Sequence, residues 1–238
     1  MNIADKLTAI AENEQKVYEA GKEKAISDFW DSAQDGVTRS AYMFASQLWN
    51  DYTFNPKKDI IVGGDGTAMF SYSRIVDLKG ILERNGVSLI ITPETKKLQS
   101  MFSYSLCENI PDIDLRGFAN IDINTQYTFS DSKIKNMKLI VDENVIISPY
   151  AFVRANNLQN ITFEGVIANT LRLHFSKLLS IESCKNIITN LKDYSGTDKE
   201  FTCELALTGE VKEMIKNDYT APGGISWYEY ATNKGWTV

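Results

Sequence analysis

The sequence predicts an α+β fold: a short repeat solenoid that carries an N-terminal helix and is closed by a mixed α/β C-terminal cap. Three observations predict it. The pentapeptide Met69-Phe70-Ser71-Tyr72-Ser73 recurs as Met101-Phe102-Ser103-Tyr104-Ser105. The apolar triplet Ile110, Ile113, Leu115 recurs as Ile134, Met137, Leu139 and as Leu158, Ile161, Phe163, stepping by 24 (110 to 134 to 158). A phenylalanine precedes each triplet: Phe102, Phe129 and Phe152. A fixed period between about 20 and 29 residues with this spacing is the sign of a leucine-rich-repeat solenoid. Such a unit cannot bury its own apolar face, so coils stack and share one core.

Residues 1–30 read as one amphipathic helix. Ile3, Leu7, Ile10, Val17 and Tyr18, then Ala25 and Phe29, recur at helical spacing, and Asn2 with Asp5 forms a weak capping box. Positions 3, 7, 10, 14, 17, 21 and 24 follow a heptad rhythm, but Glu14, Gly21 and Lys24 occupy three of them. Two arrangements fit: a coiled coil that makes a homo-oligomer through residues 1–25, or a helix laid against the solenoid end. Either supplies the partner that an isolated helix with a polar N-terminal half needs.

Residues 31–86 read as an N-terminal cap followed by the first, degenerate coils. The aromatics Phe29, Trp30, Tyr42, Phe44, Trp49, Tyr52 and Phe54 cluster here and are expected to seal the exposed end of the core. Met43-Phe44 stands 26 residues before Met69-Phe70, so a first coil begins at this point. Gly63-Gly64-Asp65-Gly66 lacks the Gly-Lys-Ser/Thr ending and following helix of a phosphate loop, and is expected to be a turn. Residues 77–86 (Asp77 to Gly86) read as an inserted helical turn closed by glycine.

Residues 87–180 hold the regular leucine-rich repeats, in which the apolar-x-apolar pairs are short strands with alternate side chains directed inward. The phenylalanines Phe70, Phe102, Phe129, Phe152 and Phe175 mark successive coils. Residues 181–238 form the C-terminal cap. A helix is expected through Ile181, Cys184, Ile187, Ile188 and Leu191, and a strand over 201–207. Ser226-Trp227-Tyr228-Glu229 is a capping box, Gly235 is the matching C-cap, and Trp236-Thr237-Val238 is a final strand.

Composition narrows the function. Net charge is −6 with the basic residues scattered, so the footprint of a nucleic-acid binder is missing. No stretch of about 18 apolar residues is present, so insertion in a membrane is not expected. Cys107, Cys184 and Cys203 are odd in number and far apart, which suits buried small side chains better than disulfides or a metal site. His174 has no second histidine or nearby cysteine to join in a metal site or triad. The sequence therefore calls for no cofactor, no metal and no catalytic residue, and the expectation is a protein that is not an enzyme. Asp5, Lys6, Glu12 and Glu14 break up any secretory leader. The chain is thus expected to be cytoplasmic before release by lysis or on a larger particle.

The unit Ala151-Phe152-Val153-Arg154-Ala155-Asn156-Asn157-Leu158-Gln159-Asn160-Ile161-Thr162-Phe163 resembles the BspA-type leucine-rich repeat, in which A-F-x-x-C-x-x-L-x-x-I-x-L/I-P recurs. Ala155 or Asn156 stands where that cysteine sits. The segments Ile3 to Gly21 and Ala231 to Thr237 are similar to small repeat proteins encoded by gut Firmicutes and their prophages. The resemblance implies adhesion or recognition of a protein or glycan, on a virion or a cell surface. An alternative it allows is a virion assembly protein that oligomerises through its N-terminal helix.

With a 24-residue step, the outward residues of the repeats align as Asp112/Asn136/Asn160, Asp114/Lys138/Thr162 and Arg116/Ile140/Glu164. A partner is expected on this strand face, with Asp112, Asp114, Arg116, Lys138, Ile140, Thr162 and Glu164 as contacts. Ile140 is expected to be an exposed aliphatic among mixed charges and amides.

Overall fold

The computed structural model describes residues 12, 13, 16, 20, 21, 43–45, 49–117 and 125–238. It shows a mixed α/β protein with a β-solenoid of about four turns and four helices between Leu78 and Asn233. Strands β1 (Ile60–Val62) and β2 (Leu89–Ile91) pair in parallel, with helix α1 (Leu78–Asn85) inserted between them. Strands β3 (Ile113–Asp114), β4 (Asn136–Val141) and β5 (Asn160–Gly165) form a second parallel sheet. Strand β6 (Leu171–Arg172), helix α2 (Ile181–Asn190), strand β7 (Leu205–Ala206) and helices α3 (Gly209–Lys216) and α4 (Trp227–Asn233) complete the chain. One buried apolar cluster runs from Phe44 to Trp236.

A column of phenylalanines forms the spine of the solenoid. Phe44, Phe70, Phe102, Phe129 and Phe152 stack ring on ring, with centroids 5.2, 5.3, 6.1 and 5.0 Å apart. All five are buried. The first coil expected at Phe44 is therefore present: its N–H donates to the Met69 carbonyl at 2.8 Å. Phe175 does not continue the column. It is half-buried against His174, at 4.2 Å, and His174 is exposed in a turn. Leu173 and Ser176 take the inward positions there.

The turns around each phenylalanine are built from left-handed residues that are not glycine. Ala68 and Tyr72 flank Phe70, Ser100 and Tyr104 flank Phe102, Tyr127 and Asp131 flank Phe129, and Arg154 follows Phe152, all with φ between 52° and 58°. Each costs roughly 1–2 kcal/mol relative to right-handed backbone. The hydrogen bonding explains the pattern. The Ala68, Phe70 and Tyr72 N–H groups donate to carbonyls of the next coil (Gln99, Met101, Ser103), while Ser71 and Ser73 donate back to Ala68 and Phe70. Alternating the backbone hand lets one short turn bond both within its coil and across to its neighbour, so its backbone N–H groups are satisfied inside a packed stack.

Helix α1 is the insertion expected between Asp77 and Gly86. The Asp77 carboxylate accepts the Gly80 N–H at 3.1 Å as N-cap, and Gly86 ends the helix at φ 65°. Leu78, Ile81 and Leu82 are its buried stripe. The glycine-rich segment at 63–66 is a turn in which Asp65 accepts the Thr67 N–H at 2.9 Å. The N-terminal end is sealed by Phe44, Trp49 and Phe54, which meet edge to face at 5.0–6.2 Å. Glu12, Asn13, Lys16, Ala20 and Gly21 are helical and exposed. The seam residues Ile3, Leu7, Ile10 and Val17, and the aromatics Phe29, Trp30 and Tyr42, lie outside the described residues.

The C-terminal cap closes the open edge of β5, which would otherwise invite pairing with another chain. Side chains of α2 take over the backbone bonding of a missing strand. Ser183 Oγ accepts the Ile161 N–H at 2.9 Å, Asn186 Oδ1 accepts the Phe163 N–H at 2.6 Å, and the Asn186 and Asn190 amides donate to the Phe163 carbonyl. The C-terminal end of α2 is held in turn by Lys234, whose ammonium donates to the carbonyls of Ile188, Thr189 and Leu191 at 2.8–3.0 Å. Three acceptors match the three N–H bonds of an ammonium.

The expected capping box at Ser226 and Glu229 is present, and Lys234 rather than Gly235 is the C-cap of α4. The final strand reduces to a bridge between Thr237 and Glu204. The strand over 201–207 shortens to Leu205–Ala206, and helix α3, capped by Thr208, was not expected.

Candidate functional site

The outward side chains of the strand face follow a different register from the expected one. Asn109 bridges to Asn136, a step of 27, whereas Ile113 pairs with Leu139, a step of 26. Only the following step, from β4 to β5, is 24. The chain therefore carries one extra residue between 109 and 113, at Pro111–Asp112. Proline has no N–H for the ladder, and an extra residue bends a strand away from its neighbour. Asn109, not Asp112, is thus the first member of the asparagine row. Asp114 sits beside Ile140 and Glu164, not beside Lys138.

In the corrected register two polar rows run along the solenoid axis. Asn160 Nδ2 donates to Asn136 Oδ1 at 2.7 Å, and Asn136 Nδ2 to Asn109 Oδ1 at 2.8 Å; the Ser180 hydroxyl donates to Asn160 Oδ1 at 2.9 Å. Each amide thereby polarises the next. The second row is ionic. Lys79 Nζ lies 3.2 Å from Asp112, and Lys138 Nζ lies 3.7 Å from Asp112 and 2.7 Å from Glu164. The Glu164 and Asp112 carboxylates hold the Lys138 pKa above its usual value.

Between the rows, Met137 and Ile161 turn inward, and Ile110 is buried as well. The result is a groove of about 520 Å³ whose lining also includes Asp77, Lys79 and Glu83 from the α1 insertion. Of the expected contact residues, Asp112, Lys138 and Thr162 line it. Asp114, Arg116, Ile140 and Glu164 lie on the adjoining part of the same face. There Arg116 donates to both oxygens of Asp114, at 3.0 and 2.7 Å, and holds that carboxyl below its usual pKa. Ile140 is half-buried between its neighbours, not an exposed aliphatic.

Asn109, Lys79 and Glu83 are groove residues that the 24-residue alignment misses. The signal for Asn109 was present: Phe102 to Phe129 is a step of 27, the same as Asn109 to Asn136. Lys79 and Glu83 belong to an insertion, and no repeat period places an insertion over a particular surface.

None of the three cysteines lines the groove. Cys107 and Cys184 are buried, and burial pushes each thiol up to about 12. Cys203 is half-buried, with its thiol 3.6 Å from the Ala168 carbonyl. We expect a thiol reagent at mildly alkaline pH to modify Cys203 in the native protein and all three cysteines in denaturant, because thiolate is the reactive form. Native labelling of Cys107 would contradict its burial.

Among the described residues, no helix is long and apolar enough to cross a membrane, and no cluster of histidine, cysteine and carboxylate side chains suits a metal ion. Compared with protein-family models, curated proteins and solved structures, the chain finds no match in any of the three.

Proposed function

We propose that this protein is a non-enzymatic binding module that recognises a protein or glycan through the strand face of its solenoid, displayed on a phage particle or a bacterial cell surface. The observation that carries this reading is the groove: three successive coils and an inserted helix contribute to one polar surface whose side chains hold one another in place. Rows pre-ordered in this way lose little side-chain entropy on binding. Each groove lysine already neutralises a carboxylate, so the surface is organised for recognition rather than for proton transfer. The coils are of the BspA leucine-rich-repeat kind in this reading. Support comes from Ala151, Phe152, Ala155, Leu158, Ile161 and Phe163, the repeat positions of the resembling unit, all of which are buried.

The test is retention of labelled protein on intact bacterial cells and on a mixed glycan and protein array. An Asp112→Ala, Lys138→Ala double variant is expected to lose roughly tenfold or more in affinity. Its melting temperature should change little, because exposed ion pairs contribute about 0–1 kcal/mol each. Full binding by that folded variant would remove the strand face as the site.

A further inference from the structure

We propose that the groove takes a neutral, hydroxyl-rich oligosaccharide laid along the solenoid axis. The inference rests on the strand face being the binding surface and adds the class of ligand.

The lining has the chemistry of a sugar's edges. An asparagine amide has two N–H donors and two acceptor lone pairs. The ladder takes one N–H from each of Asn136 and Asn160 and one bond on each of the three Oδ1 atoms. Every amide in the row keeps hydrogen-bonding capacity toward the groove. Across from it, Lys79 and Lys138 keep unspent N–H bonds and Asp112 keeps acceptor capacity. Donors and acceptors thus face one another over a floor where Met137 and Ile161 point inward and no side chain protrudes. A pyranose ring has this polarity: hydroxyls at its rim, C–H bonds on its faces.

Charge disfavours anionic ligands. Asp77, Glu83 and Asp112 stand against Lys79 and Lys138, and both lysines are already paired with carboxylates. Among the described lining residues, sialylated, sulfated or phosphorylated chains would meet no cation that is not already paired with a carboxylate. A peptide would have to anchor its large side chain, the usual source of affinity in protein recognition, in the adjoining hollow lined by Leu82, Val87, Leu89 and Pro111, away from the asparagine row. Spacing supplies the last argument. Coils joined by parallel strands repeat at about 4.8 Å, close to the advance of one sugar per residue in an extended β-linked chain. Successive sugars of such a chain are flipped by about half a turn, so each coil meets one sugar and equivalent hydroxyls recur at every second coil.

Titration calorimetry with neutral β-linked oligosaccharides, from mono- to hexasaccharide, tests this. Affinity is expected to rise with length and level off near about three sugars, one for each of the three coils that line the groove. It should stay unchanged between about 50 and 500 mM salt, since no net charge is neutralised. Thr162→Trp, which places a large side chain on the exposed edge of the groove in a strand that favours aromatics, should weaken binding roughly tenfold or more. Tyr150→Ala, off this face, should not.

Absence of binding by every neutral oligomer, or binding without length dependence, overturns the inference. Salt-sensitive binding of a sialylated glycan or a lysine-rich peptide, lost in Thr162→Trp, overturns the ligand class while leaving the strand face as the site. A neutral glycan bound equally well by Thr162→Trp overturns the site itself.

Discussion

Phe102→Ala is expected to destabilise the protein by about 3–5 kcal/mol, the range for truncating a fully buried aromatic. Phe102 has no exposed surface and lies mid-column, with Phe70 on one side at 5.3 Å and Phe129 on the other at 6.1 Å. Its neighbours cannot collapse into the space, because each is held by its own turn. Those turns bond coil to coil through Phe102 itself, whose N–H donates to Thr128. Backbone bonding survives the substitution, so the loss reports packing alone. Urea denaturation is the measurement, and a shift below about 1 kcal/mol would contradict the column as the spine of the core.

Gly165→Ala is expected to be similarly damaging for a different reason. Gly165 ends β5 at φ +100°, and a Cβ there would lie 1.9 Å from the Val141 carbonyl oxygen on the paired strand. The contact is with backbone, so a rotamer change cannot relieve it. Strain and overpacking each cost about 1–3 kcal/mol, so a total of roughly 3 kcal/mol follows. Gly86→Ala is the control. Gly86 is also left-handed, at φ +65°, but nothing lies within 4 Å of the position its Cβ would take. Its cost should be about 1 kcal/mol. Equal losses in the two variants would show that backbone hand, rather than the β4–β5 contact, dominates at Gly165.

The α1 insertion has a consequence beyond its own packing. It adds residues between β1 and β2, and its Lys79 and Glu83 then overhang the strands of later coils. The groove exists because the coils are unequal. A perfectly regular solenoid with this sheet would present a flat face.

Much of the architecture is carried by local patterns. The 24-residue step from β4 to β5, the phenylalanine column back to Phe44, the helix from Asp77 to Gly86 and the capping box at Ser226 all rest on residues close in sequence, where spacing and side-chain chemistry decide alone. The sealing aromatics were legible too, because a repeat end must cover its core. Tertiary structure decided three other things. The register at β3 depends on one extra residue at Pro111–Asp112, and the triplet Ile110, Ile113, Leu115 matches its successors just as well with the wrong step. The left-handed turns at Tyr72, Tyr104 and Arg154 carry no glycine to announce them; they exist because inter-coil hydrogen bonds outweigh the local backbone preference. The closing of β5 by Ser183, Asn186 and Asn190 reads in sequence as an ordinary polar helix face, and becomes a substitute strand edge only when α2 docks there. Periodicity specifies what repeats. Which residues face one another across coils is set by hydrogen-bond register, and a single inserted residue is enough to change it.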